Sequence, residues 1–274
     1  MGVVGQTIQK SALRGFRLEL ELSSIERQRA IHELVEQEKR ISVAAICEAF
    51  SVSEATARRD LATLAREGKV QRVRGGAIRI GQSPPELPIL ERADEQAHDK
   101  ERIGQAVARL IKPGDTVFLG SGTTVLAAAR YLPDCRELTV LTNSLPIINE
   151  LVGCDGITLI VLGGIVRDSE LSFIGHITES ALSEVRADKV ILGARAISLE
   201  HGITNDYLPE TLTDRAIIKI GREVILAADH TKFGSVSTAF LAPLEDFTTI
   251  VTDQKTDTVF IESIREKGIN VVIA

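Results

Sequence analysis

The sequence holds only three cysteines, Cys47, Cys135 and Cys154, an odd and widely spaced set that supports neither a disulfide framework nor a thiolate metal site. They read as buried thiols in a reducing cytoplasm. Nowhere do about eighteen apolar residues follow one another, so no membrane span is expected. The N-terminal stretch lacks an apolar segment followed by a cleavage site, so export is not expected either. Catalytic signatures are missing too: there is no nucleophile elbow and no Walker-type loop, and Gly120-Ser121-Gly122 lacks the third glycine of a dinucleotide-binding turn. His98, His176, His201 and His230 do not fall at metal-ligand spacing and read as surface or structural residues. No catalytic residue, cofactor or metal is therefore assigned. Internal repeats and low-complexity segments are absent.

What is present is a chain of 274 residues with 44% hydrophobic residues, enough for about two domains with a substantial core. The net charge of −6 hides an asymmetry. Residues 1–80 carry 14 Lys+Arg against 10 Asp+Glu, net +4, which leaves 18 against 28, net −10, for residues 81–274. Positive charge is concentrated at one end, where it can meet a polyanion.

That end contains a reading motif. Ile31, Leu34 and Val35 give an amphipathic first helix, and Val43 to Phe50 a short second one before the turn Ser51-Val52-Ser53. Ser53 is a good N-cap, and Glu54 sits well against the positive end of a third helix. In that helix Leu61, Leu64 and Ala65 mark the core face, which leaves Thr56, Arg58 and Arg59 to meet bases and phosphates. Beyond Gly68, a helix stop, the run from Lys69 to Arg79 alternates apolar and basic residues around Gly75-Gly76, as a two-stranded wing carrying Arg72 and Arg74 would. The set Ser53, Thr56, Arg58, Arg59, Arg72 and Arg74 thus reads as a DNA-binding surface within a winged helix-turn-helix head, residues 23–80. Which arginine holds phosphate and which reads bases stays open.

Residues 1–22 read as an N-terminal extension. Gly81 to Pro88, with three prolines, begins a linker taken to cover residues 81–101. From 102 to 274 short apolar runs alternate with helical segments: Thr116–Leu119, Thr139–Thr142, Thr158–Leu162, Lys189–Leu192, Val224–Ala228, Thr249–Thr252 and Val271–Ile273. Strands buried on both faces and separated by helices make an α/β domain with a largely parallel, doubly wound sheet. Ligands collect at the C-terminal strand ends of such sheets. There the sequence offers Ser121-Gly122-Thr123-Thr124, then Thr142-Asn143-Ser144, Gly164 with Arg167, Arg195, Asp206 and Lys232. Hydroxyls, backbone amides and cations of this kind suit a phosphorylated ligand, with carboxylates and amides for sugar hydroxyls.

Together the halves resemble the DeoR family of bacterial transcription regulators over nearly all of residues 24–274. The resemblance rests on Ser53-x-x-Thr56-x-Arg58-Arg59-Asp60-Leu61 and Arg74-Gly75-Gly76-Ala77 in the head. In the body it rests on Ser121-Gly122-Thr123-Thr124, Thr142-Asn143-Ser144, Gly163-Gly164 with Arg167, Ser172 with Gly175, Gly193-Ala194-Arg195 and the run Ala228 to Gly234. It implies a repressor of sugar catabolism genes, with a body similar to sugar-phosphate isomerases whose pocket senses a phosphorylated sugar or polyol. The chain departs from the family at Gly120, where an Asp is usual, and around Asp214-Arg215, where a Lys is common. Both changes bear on which hydroxyls the pocket reads. Double-stranded operator DNA and a homo-oligomer, dimer or tetramer, are the expected partners, because one winged head buries little surface and symmetric half-sites multiply its affinity. A sugar-phosphate isomerase or deaminase with an accessory DNA head is the alternative. It would need a general base over the sugar, which the absence of a carboxylate at Gly120 disfavours.

Overall fold

The structure is a computed structural model and describes residues 23–38, 40–67, 69–73, 75–79, 87–132 and 137–274. The expected extension 1–22, Gly68, Arg74, linker residues 81–86 and Cys135 lie outside the described residues. The chain divides into two compact units, Met1–Pro84 and Pro85–Ala274.

In the first unit, helices Ser24–Glu38, Val43–Phe50 and Glu54–Arg66 follow one another with strand β1 (Arg40–Ser42) between the first two, and β2 (Gln71–Val73) and β3 (Gly76–Ile78) behind them. Local chemistry sets the helix starts. Ser42 accepts from the Ala45 amide at 3.0 Å, and Ser53 accepts from the Thr56 amide at 3.2 Å. Ser51, in the left-handed region at φ 52°, makes the sharp turn between the second and third helices. The wing differs from expectation. It has three strands in the order β1-β3-β2, because the short segment between the first two helices is extended and pairs antiparallel with β3. Ile31, Leu34, Ile46, Ala57, Leu61 and Leu64 are buried together as the core. At about 1.5–3 kcal/mol for each large apolar side chain removed from water, that core carries this small fold.

In the second unit the strands are β4 (Thr116–Leu119), β5 (Leu138–Thr142), β6 (Ile157–Val161), β7 (Ile165–Arg167), β8 (Ser172–Ile174), β9 (Ala187–Leu192), β10 (Ala196–Ser198), β11 (Gly202–Asn205), β12 (Gly221–Ala227), β13 (Ala239–Ala242), β14 (Thr249–Thr252) and β15 (Asn270–Ile273). Seven form one sheet in the order β15-β14-β12-β9-β4-β5-β6, with every pair parallel. Successive side chains alternate between two buried faces. Val117, Leu119, Ile191 and Ile225 pack with Ile103, Val125 and Ile147 on one face. Phe118, Val190, Leu192 and Leu226 pack with Leu182, Ile217 and Ile264 on the other. Helices therefore cover both sides, the doubly wound arrangement expected. Two small antiparallel additions, β7-β8 and β10-β11-β13, were not anticipated.

The expected linker is also shorter on its C-terminal side. Ile89 is buried and its amide donates to the Ser169 carbonyl at 2.7 Å, and helix Ala97–Ala108 belongs to the packed body. An apolar Ile and a charge pattern suited to a cavity wall, described below, fix this segment in place.

Two packing constraints yield tests. A Cβ on Gly104 would stand 2.6 Å from the carbonyl carbon of Ala127, so helix Ala97–Ala108 meets helix Thr123–Ala129 backbone against backbone. Gly104→Val is expected to lower the stability of the second unit by about 1–3 kcal/mol in urea unfolding; an unchanged midpoint would show that the helices separate freely. In the head, Asp60 is buried and accepts from Arg27 Nε at 2.6 Å and Gln28 Nε2 at 2.8 Å. Removing one partner of a buried pair strands the other charge, so Asp60→Ala should unfold or loosen the head by about 3 kcal/mol or more. Circular dichroism melting checks this, and a melting curve like that of the parent protein would exclude it.

Candidate functional site

The reading helix Glu54–Arg66 presents its apolar stripe, Ala57, Leu61 and Leu64, to the core, so Arg58 and Arg59 face outward. Arg58 is held along the helix by Glu54 at 3.1 Å. Its carbonyl accepts from Arg72 Nη1 at 3.2 Å, which fastens wing to helix. Arg59 is exposed and makes no ion pair among the described residues. Thr56 Oγ1 lies 3.0 Å from Ser53 Oγ, so the cap and the first outward hydroxyl form one polar cluster. Asp60 falls on the buried stripe, and its role was missed in the sequence. A carboxylate at an apolar-stripe position was the signal, because such a charge has to be paired.

In the second unit the sheet order reverses between β4 and β9: chain order runs outward from β4 through β5 and β6, then restarts beside β4 with β9. Crossovers leave β4 and β9 on opposite sides, which opens a crevice at their C-terminal ends. A cavity lies there. β4 leads into Ser121–Thr124, β9 into Gly193–Arg195, β12 into Asp229, Thr231 and Lys232, and β11 into Asn205 and Asp206, all in its wall. Gly122, at φ 116°, makes the turn that brings this backbone to the cavity before helix Thr123–Ala129 starts. Glu210 and Asp214 enter from helix Leu208–Ile220, Glu170 from the turn before β8, and Arg92, Glu95, Gln96 and Lys100 from the segment that leads into the unit.

Charges in this wall hold one another. Arg167 binds Glu210 in a short ion pair, approaches Asp206 at 3.6 Å and stacks 4.5 Å from the Tyr207 ring centre. Arg195 lies 3.8 Å from Asp206, and Arg92 pairs with the buried Glu170. Glu210 also accepts from Ser172 at 2.9 Å and from Ser121 at 3.4 Å. Lys100 donates to the Arg92 carbonyl at 2.8 Å. Burial lowers the pKa of Lys100 below the usual lysine value, Asp229 acts in the opposite sense, and Lys232 and Arg92 lower it further. A bound dianion would reverse that depression, since an opposite charge favours the ammonium. For Asp214, burial first and the Glu210 carboxylate second raise the pKa well above the ordinary carboxylate range, against the pull of Arg167 and Asn205.

Of the residues expected to bind an effector, Ser121, Gly122, Thr123, Thr124, Arg195, Asp206 and Lys232 line this one cavity. Thr142, Asn143, Ser144, Gly164 and Arg167 are not in its wall. Thr142 Oγ1 donates to the Leu119 carbonyl at 2.7 Å, Asn143 Nδ2 donates to the Phe173 carbonyl at 2.9 Å, and Ser144 pairs with Ser172, so this turn ties β5 to β4 and β8. Gly164 packs against Thr178, whose hydroxyl occupies the place of a Cβ. Arg167 acts from behind, through Asp206 and Glu210. Arg92, Lys100, Glu170, Asn205 and Glu210 line the cavity unannounced by sequence, and Asp214 lines it at the departure from the family that was expected to bear on the pocket. His230 is a satisfied structural histidine: its Nδ1 lies 3.0 Å from Asp253, which also accepts its amide. Asp99 stands close to this pair with metal-ligand geometry, but it is already neutralised by Lys255 at 2.6 Å and Arg102 at 2.9 Å.

Comparison with known proteins agrees with this geometry. Residues 27–83 match the DeoR-like helix-turn-helix domain and residues 95–254 the DeoR C terminal sensor domain. The chain is 37% identical to the transcriptional repressor AccR of Agrobacterium fabrum, covering 89% of this chain and 95% of that one. It is 33% identical to the repressor GlcR of Bacillus subtilis, covering 90% and 95%. It is 36% identical to the glycerol-3-phosphate regulon repressor of Escherichia coli, covering 78% and 84%. Among solved structures, ribose 5-phosphate isomerase A of Methanocaldococcus jannaschii is 15% identical with a TM-score of 0.36, over 49% of this chain and 53% of that one, a likeness too faint to carry function. The chain belongs to the DeoR family: it is a DNA-binding transcription regulator whose second unit is the family's sensor domain.

Proposed function

We propose that this regulator represses carbohydrate catabolism genes and that a phosphorylated sugar or polyol in the cavity controls its hold on operator DNA. The observation that carries the ligand reading is the cavity itself at the sheet's switch point. Hydroxyls and amides of Ser121–Thr124 meet Lys100 and Lys232 there, facing a wall of carboxylates and amides. The hydroxyls, backbone amides and lysines suit a phosphate, and the carboxylates and side-chain amides suit hydroxyls. The names of the related repressors, one of them of a glycerol-3-phosphate regulon, point the same way.

The reading helix supplies the DNA contact, with Arg59 exposed on it and held by no ion pair among the described residues. Half-site symmetry calls for a dimer at least. Turnover is not part of this reading. Glu210, the buried carboxylate nearest the Ser121 turn, is neutralised by Arg167 and occupied by Ser172, so it is not disposed to abstract a proton. Chain order gives the route from ligand to DNA. Arg92, Glu95, Gln96 and Lys100 belong to the segment that follows the linker, so an occupant of the cavity touches the stretch of chain that continues into the head. Gln96, held in the left-handed region at φ 51°, starts helix Ala97–Ala108 from a strained conformation that ligand contact is able to bias.

Two measurements test this. In gel shifts at fixed salt, Arg59→Ala should weaken operator binding by about 1–3 kcal/mol and more than Arg58→Ala does; equal affinity to the parent protein would remove the reading helix from the interface. In a thermal-shift screen of phosphorylated sugars and polyols, a ligand at a hundred times its Kd should stabilise the protein by about 2.7 kcal/mol. Lys232→Ala should abolish that shift and leave ligand-free operator binding intact. A screen without any hit would end the effector proposal.

A further inference from the structure

Asp214 differs from Glu170, Glu210 and Asp206, its acidic neighbours in the cavity wall. Glu170 is paired with Arg92, Glu210 with Arg167, and Asp206 with Arg167 and Arg195. Asp214 has no ion pair among the described residues. Its Oδ2 accepts from Asn205 Nδ2 at 3.0 Å, and its side chain lines the cavity beside Asn205 and Asp206. It lies one helical turn beyond Glu210 on the same helix, so the two carboxyl groups share a face.

We propose that Asp214 selects the hydroxyl-bearing end of the effector through a direct hydrogen bond from its carboxyl group to a ligand hydroxyl. This rests on the reading of the cavity as a site for a phosphorylated sugar or polyol and deepens it.

The charge arrangement says which form of the acid faces the ligand. Around Asp214 stand Glu210 on its own helix, Arg167 on β7, Glu170 before β8, and Asn205 and Asp206 at the end of β11. Glu210 and Glu170 repel a charge on Asp214, and Arg167, which attracts it, is already shared by Glu210 and Asp206. The neutral form of Asp214 is therefore favoured to higher pH than that of an ordinary carboxyl. Burial and the Glu210 charge raise its pKa in keeping with this. A neutral carboxyl whose one oxygen is taken by the Asn205 amide offers an O–H donor. Beside it Asp206 is an acceptor. A ligand hydroxyl fits between a donor and an acceptor, whereas a second phosphate would meet carboxylates.

The test uses the full chain, with glucose 6-phosphate, ribose 5-phosphate, glycerol 3-phosphate, glucosamine 6-phosphate and inorganic phosphate as probes, and calorimetry as the readout. For the hydroxylated ester that binds the parent protein best, Asp214→Asn should keep the affinity within about threefold, because the amide mimics a neutral acid. Asp214→Leu should lose about 10- to 100-fold, the effect of leaving a ligand hydroxyl unpaired in a buried site. Inorganic phosphate should bind all three proteins alike. The parent protein should lose affinity as pH rises through the raised Asp214 pKa, because the donor form is the one below it, and Asp214→Asn should lack that part of the profile. Carbon NMR of the Asp214 carboxyl, which needs neither ligand nor variant, should show a titration above the ordinary carboxylate range. Unchanged affinity in Asp214→Leu overturns the proposal while sparing the cavity reading. A preference for glucosamine 6-phosphate with loss in Asp214→Asn overturns it in favour of a carboxylate that holds an ammonium. If no probe binds the parent protein, the cavity reading fails and this proposal fails with it.

Discussion

The reversal of strand order between β4 and β9 is the constraint on which the second unit depends. Parallel strands need crossovers, and crossovers that leave to opposite sides cannot fill the space above the strands where they part. The loops after β4 and β9 therefore stay apart, and the backbone amides at their ends face a gap. Polar groups that follow β4, β9, β11 and β12 line that gap. The strand interiors are apolar on both faces, and the groups able to hold a ligand are left at the C-terminal ends.

A gap lined with this many ionisable groups would be costly if the charges were independent, since burying one unpaired ion costs several kcal/mol. Here Arg167, behind the wall, neutralises Glu210 and Asp206 together, and Tyr207 stacks on its guanidinium. Arg92 does the same for Glu170. The result is a wall whose charges hold one another in place in the absence of a ligand. Arg167 thus matters to the cavity although it does not line it.

Much of the fold was legible because its physics is local. A strand buried on both faces has to be largely apolar, and the inner strands stood out as short apolar runs, as did the more exposed edge strands β6 and β15. The recognition helix was legible from a cap, a dipole-compatible Glu54 and an apolar stripe. β1, β7, β8, β10 and β11 were not, because three- or four-residue strands such as Ala196–Ser198 leave too little alternation to read and form only where a neighbour offers an edge. The site divided in the same way. Ser121–Thr124, Arg195, Asp206 and Lys232 were found because each follows a strand directly or closely. Glu210 and Lys100 were not, because they sit inside helices whose charged faces look solvated until tertiary packing turns them toward a cavity, and Asp214, in the same position, stood out only as a departure from the family pattern. Thr142–Ser144 obeyed the strand-end rule and yet bond to Leu119, Phe173 and Ser172. A strand end away from the switch point has a neighbouring strand to tie, and its hydroxyls are used for that.

The same geometry bears on how a ligand could be felt at the DNA end. An effector shifts an equilibrium only by the difference in its affinity for the two arrangements. A cavity walled entirely by the sheet and its own helices would bind equally whatever the head does. Arg92, Glu95 and Gln96, on the segment that follows the linker, and Lys100, in the first turns of helix Ala97–Ala108, add to the wall groups from the part of this unit nearest the head in chain order. The Lys100 ammonium bonds the Arg92 carbonyl and the Arg92 guanidinium bonds Glu170, so the segment closes on the wall through groups that a phosphate would also engage. Ligand binding and the seating of this segment therefore draw on the same charges. That shared use is where the proposed effector would gain a differential affinity, by favouring one seating of this segment over another.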